Sequence, residues 1–236
     1  MRDIGALTQA ALQWLMSIVG ALLAALSVIA IVFTSALLRA AHKRGELKPN
    51  VEAIGLGAVT NFFDTLGIGS FAPTTAYMKI RKMAPDSYFP AILNAGHALP
   101  TVAQALVFIT LVEVDPVLLI SCIAASVAGA IVGAPIVQRS PVRLVQGVVG
   151  IALLIAAALY AMRNLGIGPE GGEALTLPTA LFAIAVGAHF RMGVLMMFGI
   201  GLYAPSLIVL SLLGLNPTAA FPIMMGSSAF LMPVAS

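Results

Sequence analysis

Long apolar runs separated by short basic or Gly/Pro-rich stretches organise this chain. Leu12 to Leu38 carries no charge and is closed by Arg39, His42, Lys43, Arg44 and Lys48. A run longer than the ~20 residues needed to cross a bilayer predicts a transmembrane helix. The charge follows the run instead of preceding it, unlike a cleaved signal peptide. The positive-inside rule therefore puts the N-terminus outside and residues 39–50 in the cytoplasm. Val51 to Met78 comes next, and a second basic stretch follows it at Lys79, Arg81 and Lys82, with Asp86. A simple crossing would leave two basic loops on opposite sides. A re-entrant hairpin, turning at Gly67–Pro73, keeps both inside and is the favoured reading. Phe89 to Val112 then crosses outward to Glu113 and Asp115. Val117 to Val137 crosses inward to Arg139 and Arg143, with Pro135 and Pro141 as stops. Leu144 to Ala161 crosses outward to a Gly-rich external loop, Arg163 to Glu173. Leu177 to Leu213 repeats the hairpin pattern, now from outside.

The repeat is written in the residues. Gly67-Ile68-Gly69-Ser70-Phe71-Ala72-Pro73 returns 132 residues later as Gly199-Ile200-Gly201-Leu202-Tyr203-Ala204-Pro205. The same ungapped offset matches Gly55 to Gly187, Pro85 to Pro217, Phe89-Pro90 to Phe221-Pro222, Leu99 to Leu231, Val102 to Val234 and Ala103 to Ala235. Three crossings between the copies would turn the second upside down, giving an inverted repeat about an axis in the membrane plane. The expected fold is an all-α polytopic membrane protein. It has residues 1–44 as a first helix with its basic loop, 45–163 as the first repeat and 174–236 as the second. Phe221 to Ser236 is too short to span, so the second repeat reads as truncated.

Composition agrees with this pattern. Of 236 residues, 60% are hydrophobic and only 9% charged, against roughly 25% charged in soluble domains. Alternating ~10-residue segments of a membrane β-barrel are absent. The net charge of +3 encodes orientation more than partners, and no basic run points to nucleic acid. The one cysteine, Cys122, excludes an internal disulfide and a Cys-based metal site. No phosphate-binding loop and no His-Glu-x-x-His motif occur, so neither a cofactor nor a metal is expected.

Polar residues inside such runs are the candidates for chemistry, since a central charge costs roughly 2.5–3.5 kcal/mol. The first hairpin offers Asn61, Asp64 and Thr65 at helical positions i, i+3 and i+4, on one face. The second offers His189 and Arg191. Arginine's planar fork suits an oxyanion, so Arg191 and His189 are the expected anion ligands, with Asp64 able to hold Arg191 between turnovers. Asn61, Thr65 and the backbone at Gly67, Gly69, Gly199 and Gly201 complete the expected substrate site. Broken helices expose N–H donors and positive dipole ends there. Ser70, Thr74, Thr75 and Ser206 add hydroxyls. On the next helix, Asn94 and His97 precede Pro100, Thr101 and Gln104. Asp64, His97 and Asn94 are the candidates for coupling or gating. Small residues at Ala124, Ala125, Ala128, Gly129 and Gly133 suit close helix packing.

The stretch Gly55…Asn61-Phe62-Phe63-Asp64-Thr65-Leu66-Gly67-Ile68-Gly69…Ala72-Pro73, its echo at Gly199–Pro205 and Pro217…Phe221-Pro222 resemble the TauE/SafE sulfite exporter family, within the 4-toluene sulfonate uptake permease-like superfamily. The resemblance covers about residues 45–236. It implies a multi-pass secondary transporter of the bacterial inner membrane, exporting sulfite or an organosulfonate such as sulfoacetate, and not an enzyme. The implied partners are the small anion and the lipid bilayer, and a homodimer is compatible. The first hairpin departs from the Gly-rich family phrase at Phe62, Phe63, Asp64 and Thr65, which leaves the anion open. Two rivals stand beside this reading. One is an intramembrane lipid-pyrophosphate phosphatase, which needs an acid cluster that this chain lacks. The other is a passive anion channel.

Overall fold

The computed structural model describes residues 2–48, 50–66, 69–166 and 172–235. They form nine α-helices: α1 (Arg2–Arg44), α2 (Val51–Thr65), α3 (Phe71–Arg81), α4 (Phe89–Leu111), α5 (Pro116–Arg139), α6 (Val142–Asn164), α7 (Thr179–Met196), α8 (Tyr203–Leu212) and α9 (Pro217–Val234). A single 3-10 turn, Asp86–Tyr88, leads into α4. Among these residues the β content is one bridge, Ala174 to Leu215. Five helical stretches are long and apolar enough to cross a membrane: Ser17–Arg44, Asp86–Leu111, Pro116–Arg139, Thr179–Met196 and Pro217–Val234. The packing is that of a multi-pass membrane protein. Ile31 and Leu111 stand 66% and 75% exposed while Asp64, His97, His189 and Ser206 are buried, so the apolar groups face outward and the polar groups inward.

Local chemistry sets the helix starts. The side chains of Asn50, Asp115 and Asn216 accept from N–H groups in the first turns of α2, α5 and α9. Pro116 and Pro217 occupy the first helical positions, where a missing N–H costs nothing. The repeated phrase breaks the helix twice. Helix α3 restarts at Phe71 and α8 at Tyr203, which are equivalent under the 132-residue offset. Gly69 and Gly199 both take φ +85°, a conformation open mainly to glycine. These two are not equivalent positions, so the copies turn differently; Gly67, the partner of Gly199, lies outside the described residues.

Each break sits in a helical hairpin whose arms are tied at the open end. In the first, Tyr77 Oη and Arg81 Nε both donate to Glu52 Oε1, at 2.9 and 2.8 Å. The Arg81 guanidinium, and then the Tyr77 hydroxyl, hold the Glu52 carboxyl below the ordinary glutamate range. Next to it Lys79 pairs with Asp86, and Gln146 Nε2 donates to Asp86 Oδ2 at 2.7 Å. In the second hairpin, Asn216 N–H donates to the Ala174 carbonyl at 2.8 Å and Gly172 N–H to the Leu215 carbonyl at 3.3 Å. Asp115 N–H donates to the Leu175 carbonyl. The first hairpin therefore opens at the Asp86 end of α4, and the second at the Asp115 end. At 11 and 10 residues, α3 and α8 extend only ~15–16 Å, about half a hydrocarbon core.

Helix α9 runs antiparallel to α4. Phe221, near its start, stacks on Phe108 with ring centroids 5.0 Å apart, and Ala235, just past its end, meets Pro90 and Ala91 around one cavity. Helices α5 and α7 approach to backbone contact. A side chain at Gly129 would strike the Phe190 carbonyl, and one at Gly193 the Ser126 carbonyl. Gly129 and Gly133 were expected to serve close packing; Gly193 supplies the matching hollow on α7.

Three expectations change. Pro135 does not stop α5, which runs on to Arg139. A proline one turn from a membrane helix end frees a single carbonyl, and neighbouring structure tolerates that. The last element begins at Pro217, four residues before Phe221, and at 18 residues it counts among the candidate spans instead of falling short. Helix α1 extends beyond its apolar run at both ends.

Candidate functional site

Two histidines organise the buried polar groups. His97, on α4, is enclosed by the first hairpin. Its Nδ1 lies 3.0 Å from Asn61 Oδ1 and its Nε2 3.0 Å from Thr74 Oγ1. Asn61 Nδ2 donates to the Gly57 carbonyl at 2.6 Å, which leaves Oδ1 as the acceptor for His97. The pattern assigns the proton to Nδ1, with the Thr74 hydroxyl donating to Nε2. Phe71 covers the imidazole at a centroid distance of 5.7 Å. His189, on α7, repeats the scheme in the second hairpin. Its Nδ1 donates to the Ala185 carbonyl at 2.9 Å, and its Nε2 accepts from Ser206 Oγ at 2.9 Å. Thr74 and Ser206 are equivalent under the 132-residue offset, whereas the two histidines come from different helices. Each short arm is thus pinned through its first-turn hydroxyl to a buried imidazole.

The network continues past Asn61. Gln104 Nε2, on α4, donates to Thr65 Oγ1 at 2.8 Å and to the Asn61 carbonyl at 3.3 Å. Tyr203 Oη, from the second hairpin, donates to Gln104 Oε1 at 3.0 Å and also touches the sulfur of Met225. The two breaks consequently meet. A Cβ on Gly201 would lie 3.3 Å from Phe71 Cβ, and one on Gly199 3.3 Å from Leu93. Asp64 is fully buried in the same place with Ser70, Tyr203 and Gln104 as its polar neighbours, and among the described residues neither carboxylate oxygen is in hydrogen-bond geometry with a partner.

A cavity of about 340 Å³ lies against the second break. Ser87, Pro90 and Asn94 of the α4 start, Gln138 and Ser140 at the end of α5, and Met197 line it. It is at the end of the bundle that carries Arg139 and the Lys79–Asp86 pair. Asn94 is 1% exposed; its Nδ2 donates to the Pro90 carbonyl at 2.9 Å and to the Met196 carbonyl at 3.4 Å, while Oδ1 has no partner among the described residues. The start of α4 presents a positive dipole end to this space.

The structure gathers Asn61, Asp64, Thr65 and His97 into one cluster and puts Asn94 in the cavity beside Gly199. His189 joins Ser206 in the second hairpin. Arg191 is elsewhere. It is exposed, and among the described residues it forms no ion pair with Asp64 or any other acid. Two residues along a helix turn through about 200°, so with His189 buried Arg191 faces away from the bundle. Ser227 and Ser228 on α9 are buried. Tyr203 was missed as a polar contributor. The available signal was a hydroxyl present in one copy of the phrase and absent from the equivalent Phe71. Among the described residues no three His, Cys, Asp or Glu side chains converge as metal ligands. Comparison of the chain with protein-family models, with curated proteins and with solved structures returned no match.

Proposed function

We propose that this chain is a secondary transporter that exports a small oxyanion, with sulfite and organosulfonates as the leading substrates, from a bacterial cell across its inner membrane. The observation that carries the reading is the pair of broken hairpins that open at opposite ends of α4 and meet at their breaks. The antiparallel run of α4 and α9 supports reading the two halves as an inverted repeat. Such repeats place substrate at discontinuous helices near the midplane and alternate access by moving one half against the other.

The anion reading rests on the donors available. The cavity meets the N-terminal end of α4, offers the Gln138 amide and the hydroxyls of Ser87 and Ser140, and lies at the basic end of the bundle. Neutral donors and helix dipoles suffice for a small oxyanion without a buried arginine. The likeness of the hairpin phrases to sulfite exporters selects the sulfur anions within that class. The test is thermal unfolding of the purified protein against sulfite, sulfoacetate, sulfate, thiosulfate and acetate. A ligand at 100 times its Kd stabilises by about 2.7 kcal/mol. Sulfite or sulfoacetate should raise the unfolding temperature in a saturable way, and Gln138→Ala should reduce the shift. A panel that leaves the temperature unchanged, or a shift by acetate alone, contradicts the reading.

A further inference from the structure

Asp64 is the buried group that anion binding leaves unused. It is the last-turn residue of α2, and Ser70, which it faces, immediately precedes α3, so the contact straddles the first break. The side chain is 0% exposed and both oxygens lack a hydrogen-bond partner among the described residues. Ser70 Oγ and Thr101 Oγ1 are also unpartnered, and Thr101 faces Tyr203. An ionised carboxylate stranded in such surroundings is costly, and neutralisation is the usual outcome.

The neighbours supply no counter-charge. On α8 the titratable group facing Asp64 is Tyr203, whose hydrogen goes to Gln104. On α4 the titratable group is His97, and both of its ring nitrogens are taken by Asn61 and Thr74. Within α2 and α3, Glu52, Tyr77, Lys79 and Arg81 are at the far, open end of the hairpin. On α7, Arg191 is exposed and His189 is bound to Ser206. What remains is a mobile cation. A hard metal ion wants six or more oxygens. Among the described residues, the unengaged side-chain oxygens that the contacts place at this point are the two of the carboxylate, Ser70 Oγ, which faces it, and Thr101 Oγ1, which faces Tyr203. A proton needs one neighbouring acceptor, which Ser70 provides.

We propose that Asp64 is the proton-carrying site of this transporter, held as the carboxylic acid in the closed arrangement seen here. When the two hairpins move against each other, the Asp64–Tyr203 contact between them parts and water reaches the carboxyl. The acid gives its proton to water on one side, leaving the carboxylate, and on the other side the carboxylate takes a proton from water. No electrons move and no other bond is made or broken. The inference deepens the transport reading and rests on it for the coupling role, whereas the protonated carboxyl can be detected independently.

Two measurements separate the claims, both on the full chain with Asp64→Asn as the variant. The amide is a neutral mimic of the acid, so the variant should fold like the parent. First, infrared difference spectra of wild type minus variant at neutral pH should show the C=O stretch of a protonated carboxyl. Second, in proteoliposomes loaded with sulfite, the variant should keep sulfite-for-sulfite exchange and lose accumulation driven by a pH gradient. A missing carboxyl band overturns the proton site. So does pH-driven accumulation by the variant equal to wild type, or wild-type accumulation that follows a sodium gradient at clamped pH. A band without any sulfite exchange upholds the proton site and defeats the anion reading; exchange without a band does the reverse.

Discussion

Leucine at Gly193 should drive α5 and α7 apart and unseat the second hairpin. An ideal Cβ at this position already falls inside the Ser126 carbonyl, which is main chain and cannot swing aside. The same holds at Gly129 against the Phe190 carbonyl. Neighbouring Gly133 has Val194 main-chain atoms 2.9 Å from its ideal Cβ, so the seam is continuous over two helical turns. Helix association in a membrane depends on such close packing, because lipid is as apolar as the side chains it would replace. Overpacking ordinarily costs about 1–3 kcal/mol, and a main-chain clash belongs at or above the top of that range. Total stabilities are about 5–15 kcal/mol, so the variant should lose a large fraction of its folded population. Alanine should produce most of the effect, since the first carbon already clashes. Gly96→Ala is the control: nothing lies within 4 Å of its added carbon. Thermal unfolding in detergent, read by size-exclusion chromatography, checks the order Gly193→Leu, Gly193→Ala, Gly96→Ala from least to most stable.

The second large effect is expected at His97. Alanine there strands Asn61 Oδ1 and Thr74 Oγ1, each formerly bonded to a ring nitrogen at 3.0 Å. A buried polar group left without a partner costs about 1–3 kcal/mol, and two are stranded. The void left beside Phe71 adds to the loss. His189→Ala should cost less: it strands Ser206 Oγ, while the Ala185 carbonyl remains engaged within its helix. Because Thr74 and Ser206 pin the two short arms in the same way, either change should also free an arm. Protease access at α3 should rise in His97→Ala, and at α8 in His189→Ala. Unchanged stability in His97→Ala would show that the network is not what holds the first break.

The repeated phrase made much of the fold legible. It located both breaks, and the helices after them restart at equivalent residues, Phe71 and Tyr203. The basic stretches around Lys43 and Lys79 pointed to a hairpin between them, and the Glu52–Arg81 tie closes it. Asn61, Asp64 and Thr65 share a face by helical spacing and do converge on α4. Arg191 was legible only in part. Helix α7 is apolar on most sides, so no stripe marked its inner face. The spacing from His189 could still have shown that the two side chains cannot both point inward. Gln104 was legible as a neighbour of the site but its bond to Tyr203 was not, because contacts between residues 99 positions apart leave no local signal. The start of α9 at Pro217 was hidden by reading its span from Phe221, although Asn216-Pro217 is a cap-and-proline start like Asp115-Pro116.

The central claim is that small oxyanions cross the membrane where the two breaks meet. Exchange of labelled sulfite into proteoliposomes preloaded with unlabelled sulfite tests it most directly, because exchange needs no knowledge of the driving ion. The account predicts saturable uptake that unlabelled sulfoacetate inhibits. It also predicts that Gln138→Ala reduces uptake, whereas Arg191→Ala leaves it near the wild-type rate because that side chain faces away from the bundle. Uptake no faster than in protein-free vesicles would contradict the account. So would uptake that depends on Arg191 and is indifferent to Gln138.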